Sequence, residues 1–256
     1  MVLDFSGQTA VVTGGSNGIG LGCARALVES GARVIVFDRE EAPPPCEFVS
    51  VDVTDREALD AAIASIGRID VAVVNAGMVR PGMLLDTTDE DWDRTLALNL
   101  TGAFRTVRAV ARRMREQRGG AVVVTASTNS FDGEGELTAY NSSKAGLLGL
   151  VRTAANELGI YGIRINAVCP GLIRTRLTEK HFSTPEIIRD YFRHIALGRG
   201  GEPSEVGAAV AFLASGAASF ITGTTLVVDG GQMASKFGPW TDENGEFVDG
   251  RWRLRG

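Results

Sequence analysis

The sequence is short of residues that cross-link chains or hold metals. Its three cysteines, Cys23, Cys46 and Cys169, are odd in number and widely spaced, which excludes a disulfide framework and a Cys-based metal box. They read as thiols in a reducing compartment. Neither of the two histidines, His181 and His194, sits in a Cys, His or carboxylate arrangement that demands a metal, so none is expected. No apolar run is long enough to span a bilayer. No basic stretch followed by an apolar core opens the chain, so a signal peptide is not expected and the expected location is the cytoplasm. A basic excess is also lacking: a net charge of -5 gives no general attraction to nucleic acid or an anionic membrane. Repeats, low-complexity tracts and linkers are absent. The 256 residues therefore imply one large α/β domain over 1–235, with a C-terminal extension of different character over 236–256.

What is present begins with Thr9 to Thr13, a β-branched apolar run read as a buried strand. Gly14-Gly15-Ser16-Asn17-Gly18-Ile19-Gly20 follows at once, and Leu21, Ala24, Leu27 and Val28 then repeat at helical spacing. A glycine-rich turn between a strand end and a helix start suits a phosphate. The glycines let the backbone approach, and free N–H groups with the helix dipole attract the anion. The turn is read as a dinucleotide site, although its Gly-x-x-x-Gly-x-Gly spacing differs from G-x-G-x-x-G. The next strand ends in Asp38, 18 positions after Gly20. A carboxylate there accepts hydrogen bonds from an adenosine ribose and repels a 2′-phosphate, which points to NAD rather than NADP. Arg39 next door is the counter-argument, because a guanidinium could bind that phosphate.

Pro43-Pro44-Pro45 leaves no room for the usual crossover helix. A strand follows over 48–51. Thr54 to Glu57 has the pattern of a capping box opening a helix with Leu59, Ala62 and Ile63 inward. A strand over 69–74 ends in Asn75-Ala76-Gly77, at the carboxyl end where ligands bind in such sheets. Residues 89–116 read as one helix carrying Trp92, Leu96, Asn99, Phe104 and Val107, stopped by Gly119-Gly120. A strand over 121–125 leads to Ser127 and a polar loop with Asp132, Glu134 and Glu136. A helix to about Leu158, a strand over 163–168 and the break Cys169-Pro170-Gly171 come next. The irregular stretch 172–200 is read as a lid that could bring His181 or His194 to a site. Glu202-Pro203-Ser204 caps a further helix, and 225–229 is a seventh strand. Strands alternating with helices imply a Rossmann-type, doubly wound, mostly parallel seven-stranded sheet with helices on both faces. Trp240, Phe247 and Trp252, separated by the turn pairs Asn244-Gly245 and Asp249-Gly250, suggest an aromatic hairpin docked on its own or a partner subunit.

Tyr140 and Lys144 are four apart and share one face of a helix. The pair offers a proton-transfer group and a cation that would bring the phenol closer to the working pH. Such a pair is common on ordinary helices; its company gives it weight. Thr13-Gly14-Gly15-Ser16-Asn17-Gly18-Ile19-Gly20, Asp52, Asn75-Ala76-Gly77, Asn99, Ser127, Tyr140 with Lys144, and Pro170-Gly171 together make the chain resemble the classical short-chain dehydrogenase/reductase family from residue 5 to 232.

The resemblance implies roles position by position. Tyr140 would be the acid/base and Lys144 would hold the nicotinamide ribose and lower the Tyr140 pKa. Ser127 would bond the substrate oxygen, and Asn99 would support a water that relays protons to Lys144. Gly14, Asn17, Gly18, Ile19 and Gly20 would surround the pyrophosphate. Asp38 would hold the adenosine ribose and Asp52 and Val53 would flank adenine. Asn75, Ala76 and Gly77 would lie beside the cofactor, with Pro170, Gly171, Ile173 and Thr175 near the nicotinamide. The family also implies a homotetramer, with helices near 89–116 and 138–158 pairing across one interface. The expected reaction is NAD-dependent hydride transfer from a secondary alcohol. The acidic loop, which could accept hydrogen bonds from several hydroxyls, suggests a sugar or polyol. The alternatives are an NADPH-dependent carbonyl or 3-oxoacyl reductase and a non-catalytic nucleotide sensor; the second should lack part of the Ser–Tyr–Lys set.

Overall fold

The computed structural model describes residues 3–235 and 237–255. Seven parallel strands lie in the order β3-β2-β1-β4-β5-β6-β7. They are β1 (Thr9–Thr13), β2 (Arg33–Asp38), β3 (Glu47–Ser50), β4 (Val71–Val74), β5 (Gly120–Thr125), β6 (Ile163–Pro170) and β7 (Thr225–Val228). Both faces of the sheet are covered, so its central strands carry unbroken apolar runs rather than an alternating pattern. Alternate residues of one strand serve opposite cores. Val71 and Val73 pack with Cys23, Leu27 and Val210, from α1 (Gly18–Glu29) and α8 (Pro203–Ala214). Ala72 and Val74 pack with Leu59, Met114 and Leu147, from α2 (Arg56–Ser65), α4 (Ala103–Gln117) and α5 (Thr138–Leu158).

Several local expectations shift. The helix at 56 is capped by Asp55, whose carboxylate accepts from Glu57 N at 3.0 Å and Ala58 N at 3.1 Å; Thr54 instead donates to Asp52. The stretch read as one helix over 89–116 is α3 (Asp89–Leu96) and α4, joined by a π-helical turn, Ala97–Gly102. Phe104 turns outward and is 42% exposed. Arg118, at φ 57, rather than Gly119, takes the left-handed position that ends α4. Gly120 packs closely: a Cβ there would meet Met114 Sδ at 2.5 Å.

The stretch 172–200 is more regular than its sequence suggests. It contains α6 (Glu179–Phe182) and α7 (Pro185–Arg193). The C-terminal residues form a hairpin of β8 (Gly245–Val248) and β9 (Arg251–Leu254). Asp249 and Gly250, at φ 52 and 72, make its turn. Asn244-Gly245 is no turn pair, because Gly245 already begins β8. Trp252 is 1% exposed, with Phe192, Ile188 and Ile195 around it. Its indole N–H donates to Arg189 O at 2.9 Å, and the Trp240 indole donates to Ile195 O at 3.1 Å. Arg189 and Arg193 both pair with Asp242. The extension thus docks on α7 of its own chain. Among the described residues no helix is long and apolar enough to cross a membrane.

Candidate active site

The strand order reverses between β1 and β4, so the loops leaving their carboxyl ends diverge and open a crevice. A cleft of about 610 Å³ lies there. Gly14, Asn17, Gly18 and Ile19 form one wall. α2 and α3 have side-chain N-caps, from Asp55 and Thr88, and acidic residues in their first turns. The α1 start has no side-chain cap and no acidic residue. Its N–H groups and positive dipole end are therefore available to an anion in the cleft. Gly20 does not line the cleft. A Cβ there would lie 2.0 Å from Gly14 O and 2.6 Å from Asn75 Nδ2. Its hydrogen lets Asn75 donate to Gly14 O at 3.0 Å and tie the turn to the end of β4.

Asp38, Asp52 and Val53 line one end of the cleft. Asp38 accepts from Ser16 N at 3.0 Å and Arg39 N at 2.7 Å, so it also braces the glycine turn. The Thr54 hydroxyl, bonded to Asp52, holds that carboxyl below its usual range, with help from Arg39. Sequence reasoning missed Glu40 and Arg176, which meet over the cleft at 2.9 and 3.1 Å. They are 136 residues apart, and no local pattern couples them.

Ala76, Gly77, Ser127, Tyr140 and Lys144 line the other end, with Pro170, Gly171 and Ile173, while Thr175 lies against Gly18 of the glycine turn. Thr125 lines the cleft too, its hydroxyl oxygen buried without a hydrogen-bond partner. Lys144 is buried and donates from Nζ to Thr125 O at 2.8 Å. Nζ is 5.7 Å from the Tyr140 ring centroid. The expected lowering of the Tyr140 pKa by Lys144 is not found in the unliganded chain. Burial pushes the Tyr140 phenol up, partly offset by the Ser127 hydroxyl, with Glu134 and Cys169 adding to the rise. Burial also pulls Lys144 down to about 8. Both groups are thus driven toward their neutral forms.

Asn99 lies beneath the cleft wall, 1% exposed. Its Oδ1 accepts from Met78 N at 2.8 Å; its Nδ2 donates to Met78 O at 2.9 Å and Ser143 Oγ at 3.1 Å. The π turn aims it inward, and such turns recur at functional sites. The amide is committed to holding the loop after Gly77. His181 and His194 are exposed and outside the cleft, so the lid brings neither to the site. Cys169 is buried behind Ser127, its thiol pushed up to about 11 by burial, and is not a nucleophile. Among the described residues no cluster of His, Cys, Asp or Glu could hold a metal.

The Lys144 shift has a stability consequence. Between about pH 8 and the ordinary lysine value near 10.5, the unfolded chain keeps a proton that the folded chain has released. Unfolding takes up a proton there, so stability rises with pH, by at most about 1.4 kcal/mol per unit. Urea midpoints of the wild type relative to Lys144→Met should climb from pH 8 to 10. A flat difference would show that burial does not govern Lys144.

A doubly wound parallel sheet, a helix start open to an anion and a Ser–Tyr–Lys group at one cleft define a dinucleotide-dependent oxidoreductase. A family model described as enoyl-(acyl carrier protein) reductase matches residues 14–233, and the chain belongs to the short-chain dehydrogenase/reductase family. It is similar to the 3-oxoacyl-[acyl-carrier-protein] reductase FabG of Thermotoga maritima, at 37% identity over 89% of this chain and 98% of that one. It is also similar to the L-rhamnose 1-dehydrogenase (NAD(P)(+)) of Azotobacter vinelandii, at 38% identity over 88% and 96%. A solved structure provisionally named as an NAD(P)-dependent gluconate 5-dehydrogenase, from Beutenbergia cavernae with NADP bound at low occupancy, superposes with a TM-score of 0.86, at 32% identity over 92% of this chain and 100% of that one. The protein is an NAD(P)-dependent enzyme acting on alcohol or carbonyl groups.

Proposed function

We propose that the protein oxidises a secondary alcohol, in particular a sugar or polyol, with NAD. The observation that carries this is the convergence of Ser127, Tyr140 and Lys144 at the end of the cleft opposite Asp38. When bound, the nicotinamide supplies the hydride acceptor. Ser127 orients the substrate oxygen, and Tyr140 Oη takes its proton as the carbon gives up hydride. Lys144, held at Thr125 O, binds the nicotinamide ribose and favours the phenolate once charged. Asn99 acts as a positioning residue through Met78.

The NAD preference is supported by charge. Glu40 engages Arg176 with both oxygens, and Arg39 faces the carboxylates of Glu40 and Asp52. A 2′-phosphate there would meet Asp38, with Arg176 already paired to Glu40. NADPH-dependent reduction of a carbonyl or 3-oxoacyl group is the second reading, favoured by Arg39 lining the cleft. Asp38→Ala should raise kcat/KM with NADP relative to NAD by about tenfold or more, since like-charge repulsion of a few kcal/mol is removed. An unchanged ratio would remove the charge argument.

The polyol reading is supported by Glu134. Its carboxylate accepts from Asn129 at 3.1 Å and its charge reaches Tyr140. NAD reduction across galactitol, L-rhamnose, 2-hexanol and a hydroxyacyl thioester tests it; turnover of the apolar or acyl substrates alone would remove it. A homotetramer formed through α4 and α5 is the accompanying proposal, supported by the outward Phe104 on α4. A monomer by light scattering would dismiss it.

A further inference from the structure

A second tyrosine lies behind the cleft lining, linked to it through Gln232 and Gly171, and the reaction above does not use it. Tyr191 lies on α7 between Arg189 and Arg193. Its hydroxyl accepts from Gln232 Nε2 at 3.0 Å, which leaves the phenol proton free to donate. The other end of the Gln232 amide, Oε1, is buried and has no hydrogen-bond partner. Oε1 lies 3.1 Å from where a Cβ on Gly171 would stand, and Gly171 lines the cleft. A buried acceptor left unpaired costs free energy unless something else satisfies it. Burial raises the pKa of both Tyr140 and Tyr191, and the charge of Glu134 adds to each rise, so both phenols lie within its field.

We propose that Tyr191 and Gln232 are a specificity-determining pair that bonds a substrate hydroxyl other than the one oxidised, and that the C-terminal hairpin positions Tyr191 to do so. The pair presents one donor, the Tyr191 O–H, and one acceptor, Gln232 Oε1. A hydroxyl both donates and accepts, so one hydroxyl satisfies both. An apolar chain satisfies neither and leaves the orphan acceptor buried, which is how a polar site rejects an analogue lacking its hydroxyl.

The hairpin grips α7 through the cluster on which Tyr191 also packs. Trp252 N donates to Gly198 O at 2.8 Å, closing the segment that follows α7. The Arg193 guanidinium lies 4.9 Å over the Trp252 ring, and the Phe247 and Phe192 ring centroids are 6.3 Å apart. Arg189, Phe192 and Arg193, on either side of Tyr191, are thus tied to the extension. The family match stops at residue 233, before this hairpin, so the brace lies outside the shared framework. Trp252 is a positioning residue: it reaches the substrate only through α7.

The proposal rests on the polyol reading, and one set of assays separates the two. The kcat/KM of galactitol or L-rhamnose is divided by that of 2-hexanol for wild type, Tyr191→Phe and Gln232→Leu. Each variant should lower this ratio about tenfold, the size of one lost hydrogen bond with its partner left unpaired. Unchanged NAD affinity, by fluorescence titration, shows that the variants fold. A wild type that prefers 2-hexanol overturns the polyol reading and this inference with it. A wild type that prefers the polyol, with the ratio unmoved in Tyr191→Phe and Gln232→Leu, overturns this inference alone. Trp252→Ala should raise KM for the polyol about tenfold more than it lowers kcat, with partial rescue in Trp252→Phe. Equal changes in KM and kcat, or no rescue by Phe, would reduce the hairpin to a stability element.

Discussion

Tyr140→Phe is expected to lower kcat about 100- to 10,000-fold, the range a positioned general acid or base supplies, while leaving NAD affinity close to wild type. The substitution keeps the ring and removes one oxygen. Lys144 remains bonded to Thr125 O and Ser127 remains at the cleft, so the loss reports proton transfer alone. Burial raises the Tyr140 phenol above its ordinary value in the unliganded chain. On the proposed oxidation, forming the phenolate is then the step that neutral pH slows, and the wild-type rate should climb as pH rises above 7. Tyr140→Phe should lose that climb. A variant within tenfold of wild type would sink the assignment of Tyr140 as the acid/base, and steady-state kinetics from pH 6 to 10 read both effects.

Gly20→Ala is the second large effect. A Cβ at 20 would sit 2.0 Å from Gly14 O and 2.6 Å from Asn75 Nδ2. Both are firmly placed, Gly14 by its bond to Phe37 O and Asn75 by Thr13 Oγ1. The turn must move, at a cost of about 1–3 kcal/mol in stability, as for other overpacked sites. Because the same turn forms the anion wall, NAD affinity should fall more than tenfold. Gly67→Ala is the control: its Cβ would meet nothing within 4 Å, and its effect should stay within about 0.5 kcal/mol. Wild-type NAD binding in Gly20→Ala would show that the close approach does not shape the cleft.

The fate of Gly20 shows how a motif can be read correctly and its residues still play different parts. Of the glycines in the first turn, Gly14 and Gly18 face the cleft. Gly20 serves it from behind, through the tie between Gly14 and Asn75. Asn99 is the parallel case on the other side of the cleft. Its place inside an apolar series was visible, but its partners, the N–H and C=O of Met78, belong to a loop that no helical period predicts. The π turn that aims it there was also invisible, since one extra residue in a turn leaves the apolar spacing nearly intact.

By itself the sequence determined the seven strands, their alternation with helices and most of the residues predicted to gather at the cleft. The physical reason is local: a strand covered on both faces is apolar throughout, and a turn with left-handed residues favours glycine. Tertiary structure alone decided everything that depends on two distant stretches meeting. Glu40 pairs with Arg176, Tyr191 with Gln232, and Trp252 closes on Arg189 and Gly198. It also decided the direction of the Tyr140 shift, because a neighbouring ammonium can be read from spacing of four, whereas burial is summed over all the chain packed around the ring. Spacing along the chain records what a residue's neighbours are within a turn or a strand; what covers it, and which distant group shares its hydrogen bond, is set when the sheet assembles.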